Sequence, residues 1–367
     1  MTGMAPTNFK PLLFNGKFYA GALNGVHRVA DRLIRECDAR LAAMPERQRP
    51  PARLLVPARR TWEPELTAIE LVEVAGADSQ AWEQMRLPAA AADGVLVNLA
   101  NLAPVRARRQ LLLLHDAQFL FPDSGYPLKQ RLGYRWLTPL MARRSSVVLT
   151  VSSYSRQMLE LLGVAPRTKT AVLYNGADHI LDVEPDPAAL QRLGLMPGGY
   201  ALAFGSPKGY KNNAVLFAAF ADGAMQPRRL VIVGPDRAAL ERAGLTPPAD
   251  TVFAGRCDDA ALRTLYAGAH AVLVPSRTEG FGLPPLEAML CGAPAVIAPA
   301  GALPEICRDA AVYADVDDPL AWREAIRALD DPALRTAKLA AGQARAAQFT
   351  WARAGDQLFA RLLDLAR

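Results

Sequence analysis

The chain has 367 residues, of which 51% are hydrophobic and 21% charged, which is ordinary for a soluble globular protein of two or three domains. It contains no run of about 18 apolar residues, and its amino-terminal sequence lacks a basic region followed by a long apolar stretch, so neither a membrane-spanning helix nor a signal peptide is predicted. The formal net charge is +6, and residues 1–182 carry the excess, with 23 Lys and Arg against 16 Asp and Glu. Such a basic half either attracts phosphates, nucleic acid or an anionic membrane surface, or is a solvated surface.

Short apolar runs alternate with helical patterns in the first half of the chain. The first candidate strand, Pro11–Phe14, precedes a glycine-containing loop, Gly16–Gly25, and a helix predicted over Val26–Ala42. The further strand candidates are Arg53–Pro57, Gly94–Leu99, Gln110–His115, Ser146–Val151 and Thr170–Tyr174. Because the run LLLLH at 111–115 shows no polar alternation, the pattern favours a parallel sheet that is covered on both faces.

A second series of the same kind begins near Tyr200. Its strand candidates are Tyr200–Phe204, Arg229–Val233, Thr251–Phe253, Ala271–Pro275, Ala295–Ala298 and Ala311–Tyr313. Helical patterns separate them at 212–222, 237–243, 258–268, 284–291, 319–329 and 332–348. The fold class is therefore predicted to be α/β, with two Rossmann-like, doubly wound parallel sheets.

The proline-containing stretch Asp178–Pro197 has the composition of a connector between the two sheets. We expect one domain at residues 1–182 and a second at 183–350, facing a cleft. In open α/β sheets ligands bind beyond the carboxyl ends of the strands, so the functional residues should lie in strand-to-helix loops.

The stretch Val274–Glu305 has the features of a phosphate site. A strand ends at Val274–Pro275, and a polar loop leads into a short helix that Pro284–Pro285 open. Loop glycines let backbone amides approach an anion, and the start of a helix adds unpaired donors and the positive end of a dipole. Glu279 and Glu287 flank this site and can accept hydrogen bonds from sugar hydroxyls on either side of a diphosphate.

Glu279 and Glu287 form an E-x7-E pattern, and EGFGLPPLEAMLCGAPAVIAPAGALPE closely resembles the signature of the retaining glycosyltransferase family 4 of the GT-B fold. Weaker blocks follow the order of that family along nearly the whole chain: GALNGVHRV, LLLLHDAQFLFP, VLTVSSYSRQML, LYNGADH, AFGSPKGYKNN, VIVGP and FAGRCDDAALRTLYAGAHAVLVPS. The resemblance implies a metal-independent transferase, without a cofactor, that takes a sugar from a nucleotide-diphosphate sugar.

The resemblance also implies roles for matching residues. Glu279 is expected to contact hydroxyls of the donor sugar, Glu287 those of the ribose, and Lys211 the diphosphate. His115 is expected near the donor sugar and the acceptor, so Glu279, His115 and Lys211 are the catalytic candidates. The other donor-binding candidates are Ser206, Lys208, Gly280, Phe281, Gly282, Leu283, Gly25 and Arg256.

Several neighbouring residues remain open to two interpretations. Ser206 stands where many members of the family carry arginine, so either Lys208 takes over that role or Ser206 donates a hydrogen bond; Lys208 is equally well a solvated loop lysine. Asp116 is expected to orient His115 or a loop backbone. Arg28 matches a basic position in related sugar transferases but also suits a helix surface.

Four further features are interpreted as structural. The turn Asn175–Asp178 is expected at the domain connection. The C-terminal segment 351–367, which contains the helix Trp351–Ala366, is expected to pack back onto the first domain. Asp315-Val316-Asp317 resembles a metal-binding D-x-D but falls where the family has a surface turn, so no metal is predicted. The four cysteines, which lack metal-ligand spacing, read as reduced thiols: Cys37, Cys257, Cys291 and Cys307.

The resemblance is strongest to bacterial mannosyltransferases of surface polysaccharide synthesis, including lipopolysaccharide. GDP-mannose is therefore the first expectation for the donor, with UDP-hexoses open, and the acceptor is expected to be a glycan or lipid-linked glycan. A cytoplasmic protein, peripheral on the inner face of the membrane, would suit such an acceptor, and no nucleic acid partner is expected. The alternatives are a sugar-nucleotide epimerase on the GT-B fold and a non-catalytic protein that binds nucleotide sugar. A dinucleotide dehydrogenase is disfavoured because no G-x-G-x-x-G follows the first strand.

Overall fold

The structure is a computed structural model, in which residues 9–121 and 128–367 are described. Residues 1–8, where a signal peptide would begin, and Pro122, where the HDAQFLFP block ends, lie outside these ranges. The described chain divides into two compact units.

The first unit comprises described residues 9–119, 128–175 and 351–367. Its strands are β1 (Leu12–Asn15), β2 (Ala52–Pro57), β3 (Glu70–Val74), β4 (Val95–Asn98), β5 (Gln110–Leu114), β6 (Val147–Thr150) and β7 (Thr170–Val172). They form a parallel sheet in the order β3-β2-β1-β4-β5-β6-β7. Helices of this unit are α1 (Gly25–Ala43), α2 (Leu87–Ala90), α3 (Leu128–Arg144) and α4 (Ser153–Leu161).

The second unit contains residues 176–350. Its strands are β8 (Tyr200–Phe204), β9 (Arg229–Val233), β10 (Val252–Gly255), β11 (Ala271–Val274), β12 (Ala295–Ile297) and β13 (Val312–Tyr313). They form a second parallel sheet in the order β10-β9-β8-β11-β12-β13. The helices are α5 (Ala189–Arg192), α6 (Asn213–Phe220), α7 (Arg237–Arg242), α8 (Asp259–Gly268), α9 (Leu283–Leu290), α10 (Leu303–Cys307), α11 (Pro319–Ala328) and α12 (Pro332–Ala346).

The central strands of both sheets are buried on their two faces, which explains their apolar sequences. In the first unit every residue of β5 is buried. In the second unit, alternate strand residues pack on Trp322 of α11 on one side and on Tyr266 of α8 on the other. The prediction of two doubly wound parallel sheets is thereby confirmed.

Strand β3 was absent from the predicted elements. Its sequence, ELVEV, leaves Glu70 and Glu73 exposed on opposite faces of an edge strand, and none of its five side chains is fully buried. A strand at the edge of a sheet needs little apolar surface, so it gives a weaker sequence signal than a central strand does.

The units divide between Asn175 and Gly176, earlier than the boundary expected at residue 182. The turn Asp178–Leu181 belongs to the second unit because Ile180 is buried in the core that surrounds Leu202 and Val231. The chain returns to the first unit with α13 (Trp351–Ala366), which packs on α1.

The strand order reverses at one point in each sheet. In the first sheet β1 lies between β2 and β4, and in the second β8 lies between β9 and β11. At such a point the loops leave in opposite directions and open a crevice at the carboxyl ends of the strands, where α/β proteins bind ligands. Among the described residues, no helix is long and apolar enough to cross a bilayer.

Candidate functional site

The second unit brings two loops together where its strand order reverses. One loop follows β8 and the other follows β11, the strand beside it. Asn212 Nδ2 donates to the carbonyl of Pro275 at 3.2 Å, and the amide of Arg277 donates to the carbonyl of Tyr210 at 2.8 Å. These bonds hold the two loops in contact, so polar groups far apart in sequence share one small region.

Lys211 and Glu279 meet in this region. Lys211 Nζ lies 2.6 Å from Glu279 Oε1, and the hydroxyl of Ser276 donates to the same oxygen at 2.7 Å. The side chains are 31% and 15% exposed, so both remain accessible to a ligand. A cation and a carboxylate in contact offer a donor to phosphate oxygens and an acceptor to sugar hydroxyls.

The backbone of Glu279 is fixed by the turn after β12. Gly301 has a φ of +62°, and a Cβ there would lie 2.4 Å from the nitrogen of Glu279 and 2.7 Å from its carbonyl oxygen. The amide of Ala302 donates to that carbonyl at 2.9 Å. A glycine at 301 is therefore needed both for its backbone conformation and for the close approach to Glu279.

The loop containing Glu279 leads directly into α9. Gly282 is the N-cap residue of α9 and has a φ of +109°. Because glycine has no side chain, no N-cap side chain accepts a hydrogen bond from the amides of the first turn. Pro284 and Pro285 occupy the first turn and carry no amide hydrogen. Phe281 is anchored in the unit, with its ring 5.7 Å from that of Phe349. The amides that an anion would meet thus belong to the predicted segment from Gly280 to Leu283.

Glu287 lies one turn into α9 and is only 6% exposed. Its Oε2 accepts a hydrogen bond from the hydroxyl of Tyr266 at 2.7 Å, and its Oε1 lies 3.2 Å from Nε2 of His179. Each carboxylate oxygen can accept more than one hydrogen bond, so these partners orient the group without exhausting it. The ribose-binding role of Glu287 stays a prediction.

The other second-unit candidates have different surroundings. The amide of Ser206 donates to Asn213 Oδ1 at 2.8 Å, and its hydroxyl accepts from the amide of Lys208 at 3.2 Å. The ammonium of Lys208 lies 5.9 Å from the ring centre of Tyr210. The ammonium of Lys211 lies 5.4 Å from the centre of the same ring. Arg256 is exposed and follows β10, which β9 separates from β8 in the sheet, and its donor-binding role stays a prediction.

In the first unit, His115 follows β5 and is 6% exposed. Its Nε2 lies 2.9 Å from the carbonyl of Leu99, which identifies that nitrogen as the protonated one of the neutral ring. Burial lowers the pKa of His115 to about 4, so the ring is neutral near pH 7. Asp116 accepts from the amide of Gln118 at 2.9 Å and so supports the loop backbone.

A pocket of about 250 Å³ opens where the strand order of the first sheet reverses. Glu83, from the π-helical turn Trp82–Arg86, lines it and is 2% exposed. Its carboxylate accepts from Asn15 Nδ2 and from Lys17 Nζ, each at 2.9 Å. Asn15 also donates to Asn98 Oδ1 at 3.0 Å, which extends the polar network below the pocket.

Sequence reasoning pointed to the loop beside this pocket but missed its polar groups. Gly25 begins α1, and Asn24 caps that helix by accepting from the amide of His27 at 3.0 Å. The polar run Asn-Gly-Lys at the end of β1 was the available signal for Lys17, whereas nothing near Glu83 indicated its burial. In the second unit, sequence reasoning likewise missed Tyr266 and His179, which contact the carboxylate of Glu287.

Metal and thiol chemistry find no support in the described ranges. Within 9–121 and 128–367, no group of three or more His, Cys, Asp or Glu side chains could hold a metal ion. Asp317 of the D-x-D sequence pairs with Arg277, whose hydrogen bond lowers the pKa of that carboxyl. Burial raises the pKa of Cys291 and of Cys307 to about 12, so neither is a ready nucleophile at neutral pH.

Comparison with known proteins gives consistent matches. Residues 199–331 match the family model described as glycosyl transferases group 1. The O-antigen chain mannosyltransferase B of Escherichia coli is 32% identical over 271 residues, covering 68% of each chain. The D-inositol 3-phosphate glycosyltransferase 1 of Catenulispora acidiphila is 30% identical over 296 residues, covering 73% of this chain and 68% of the relative.

The fold has close counterparts among solved structures. The Anabaena protein Alr3699/HepE, solved in complex with UDP and glucose, superposes with a TM-score of 0.71 over 96% of this chain and 99% of its own, at 22% identity. That identity shows a shared fold only. The expected GT-B class, with two Rossmann-like parallel-sheet domains, is therefore confirmed at the level of the fold.

Proposed function

We propose that this chain, which belongs to the group 1 glycosyltransferase family, transfers a hexosyl group from a nucleoside-diphosphate sugar to a glycan acceptor with retention of anomeric configuration. The ion pair between Lys211 and Glu279, in the loops beside the amino end of α9, carries this proposal. The two side chains offer complementary contacts for the two halves of such a donor, the diphosphate and the sugar.

On the donor side, Lys211 and the amides between Gly280 and Leu283 bind the diphosphate, while Glu279 accepts hydrogen bonds from the sugar. Glu287, held by Tyr266 and His179, accepts from the ribose. Mannose is the first candidate for the sugar because the E. coli relative is named as a mannosyltransferase. A UDP-hexose is the second, since the Anabaena structure was solved with UDP and glucose.

The reaction needs no enzymic nucleophile and no metal. The bond between the anomeric carbon and the phosphate oxygen breaks through an oxocarbenium-like state, and the acceptor hydroxyl attacks from the same face. The departing β-phosphate oxygen takes the proton of that hydroxyl. Lys211 and the helix end stabilise the charge that grows on the diphosphate, an interaction that is strongest in the transition state.

On the acceptor side, the pocket that Lys17 and Glu83 line receives a hydroxyl-bearing group. The Glu83 carboxylate compensates the charge of Lys17, so the pocket suits an uncharged polyol better than a phosphate. This favours a glycan end over the inositol phosphate in the name of the Catenulispora relative. The acceptor is thus a glycan, free or carried on a lipid.

A donor screen followed by product analysis tests the proposal. We expect GDP-mannose or a UDP-hexose to raise the melting temperature, because a ligand that binds only the folded state stabilises it by mass action. With an oligosaccharide acceptor, proton NMR of the product should show the anomeric configuration of the donor. An inverted product contradicts retention.

The same screen separates the competing functions. Conversion of the nucleotide sugar without any acceptor would identify an epimerase. Donor binding without transfer to any of a panel of oligosaccharides would indicate a non-catalytic binding protein. Stabilisation by NAD alone would remove the donor assignment altogether.

A further inference from the structure

Helix α3 presents a stripe of large apolar side chains to solvent. Leu128, Leu132, Trp136 and Leu140 are 68%, 49%, 74% and 48% exposed. They are spaced four residues apart, so they form a continuous row along one side of the helix, about 18 Å long at 1.5 Å per residue. Exposed apolar clusters of this kind mark surfaces that contact a partner or a membrane.

The opposite side of α3 packs against the first unit, and this packing holds the helix in place. Thr138, Met141 and Ala142 are buried, and Met141 Sδ accepts a hydrogen bond from the amide of Ala103 at 3.2 Å. The helix is therefore anchored in the first unit through its inner side, and the exposed row is not needed to attach it.

The charges of α3 have a single sign. The helix sequence LKQRLGYRWLTPLMARR contains five basic residues and no Asp or Glu. The side chains of Lys129, Arg135, Arg143 and Arg144 are exposed together with the apolar row. A helix that exposes leucine and tryptophan beside lysine and arginine has the composition of one that lies in the interface of an anionic bilayer.

A basic groove adjoins the carboxyl end of this helix. Its volume is about 550 Å³, and Arg143 and Arg167 line it together with Leu161, which is 70% exposed. Glu160 also lines the groove, and Arg156 binds its carboxylate at 2.8 Å. Two arginines beside an exposed leucine offer a lipid molecule one contact for its phosphate and one for its acyl chain.

We propose that the outer face of α3, defined by Leu128, Leu132, Trp136 and Leu140 with its exposed basic residues, lies in the surface of an anionic lipid bilayer. The apolar row enters the boundary between headgroups and acyl chains, and the arginines, with the adjoining groove, bind lipid phosphates. Only the biological reason for membrane binding rests on the proposed function: a bilayer contact would bring the enzyme to an acceptor that is carried on a lipid.

The charge pattern favours a membrane over a second copy of this chain. Two copies that paired through this face would bring their basic residues together, with no acidic residue on α3 to compensate. An anionic bilayer supplies the missing negative charge and also accepts the apolar row. Each basic residue near such a surface adds to the attraction, which salt weakens.

Co-sedimentation of the full-length protein with vesicles tests this assignment. We expect at least about ten-fold stronger binding to vesicles with roughly 30% phosphatidylglycerol than to pure phosphatidylcholine, and a loss of that preference in 0.5 M salt, taken as roughly three times physiological strength. The double variant L132S/W136S should bind anionic vesicles about ten-fold more weakly. The matched control M196S/L320S changes two residues that are 74% and 59% exposed in the second unit, and should bind like the wild type.

Further measurements decide between outcomes. Transfer to a free oligosaccharide should be unchanged in L132S/W136S, so a protein that binds vesicles but transfers nothing would refute the proposed function and leave this inference standing. Equal binding of the wild type to neutral and anionic vesicles would overturn the membrane assignment. Equal losses of vesicle binding in L132S/W136S and M196S/L320S would overturn it as well. If light scattering shows that the wild type is a dimer and that L132S/W136S is a monomer, the face binds a second copy of the chain and the membrane assignment is wrong.

Discussion

Lys211 and Glu279 are 68 positions apart in the sequence, yet their side chains form an ion pair of 2.6 Å. The contact arises because β8 and β11 are neighbours in the sheet and the loops that follow them are joined by backbone and side-chain hydrogen bonds. Loops that follow neighbouring parallel strands emerge at the same edge of the sheet, and at the point where the strand order reverses they border the crevice that binds ligands. The pair is therefore a product of the topology and lies where this class of sheet binds ligands.

Replacing Lys211 by methionine should lower kcat/KM about 100-fold to 1000-fold, since a cation that stabilises the leaving diphosphate contributes on that scale. The free energy of unfolding should change by no more than about 1 kcal/mol, because a partly exposed ion pair stabilises little. Steady-state kinetics and urea unfolding measure the two effects. The matched variant K208M removes a lysine from the same loop and should cost less than about ten-fold; equal losses in both variants would show that Lys211 has no special role.

Gly301→Ala should abolish activity through the position of Glu279. The new Cβ would meet the backbone of Glu279 at 2.4 Å, so the loop must move, and the backbone at 301 is strained as well. Gly194→Ala is the matched control, because its φ of +59° imposes the same strain with no atom within 4 Å of the new Cβ. We expect about 1 kcal/mol of destabilisation and full activity from G194A. Activity of G301A equal to that of G194A would show that the approach to Glu279 is irrelevant.

The sequence predicted the fold well because the central strands and the helices have strong patterns. The apolar run that became β5 and the segment Pro319–Ala328 both lie where their periodicity predicts. The edge strand Glu70–Val74 was missed since none of its five side chains is fully buried. The unit boundary was misplaced because packing, through Ile180, decides to which core a short turn belongs.

The residues of the candidate site were chosen from the sequence motif, whereas most of their contacts are visible only in the structure. The motif identified Glu279, Glu287 and Lys211, but no local pattern shows that Tyr266 and His179 hold Glu287. Nor does any pattern show that Glu83 pairs with Lys17, because that contact joins a strand end to a helical turn 66 residues away. Long-range polar contacts depend on the finished fold, and sequence periodicity carries no information about them.

Tyr266→Phe should raise the KM for the donor while also destabilising the protein. The variant leaves a buried carboxylate oxygen of Glu287 without the hydroxyl that orients it, at a cost of about 1–3 kcal/mol. Tyr200→Phe is the control, since the Tyr200 hydroxyl is also buried and donates to the carbonyl of Leu265 at 2.6 Å. It should lose comparable stability and keep the donor KM of the wild type. An unchanged KM in Y266F would mean that the orientation of Glu287 does not affect the donor.

Glu83→Gln should raise the KM for the acceptor and leave donor binding unchanged. The amide keeps the size of the side chain but removes the charge that compensates Lys17. The pocket would then carry an unpaired ammonium and should tolerate a phosphorylated polyol better than the wild type does. Inhibition by a methyl glycoside and by an inositol phosphate measures this change in preference. If both inhibit wild type and E83Q alike, the pocket does not receive the acceptor.

Acid should destabilise the first unit partly through His115. Burial lowers the pKa of His115 to about 4, below the ordinary value of 6.5, so the unfolded chain takes up the proton first. The stability that the neutral ring contributes is complete above pH 6.5 and is lost as the pH falls toward 4. We expect a loss of about 2 kcal/mol between pH 7 and pH 5 that His115→Gln removes. Urea unfolding at both pH values measures it, and an identical pH dependence of H115Q would exclude His115 as its source.

Hydrogen–deuterium exchange with and without a nucleotide sugar tests most directly whether the donor diphosphate sits at the amino end of α9. With saturating GDP-mannose or UDP-glucose, peptides that cover residues 279–286 and the loop around Lys211 should exchange more slowly than in the free protein. Unchanged exchange in both peptides, with protection appearing only in the first unit, would contradict the account.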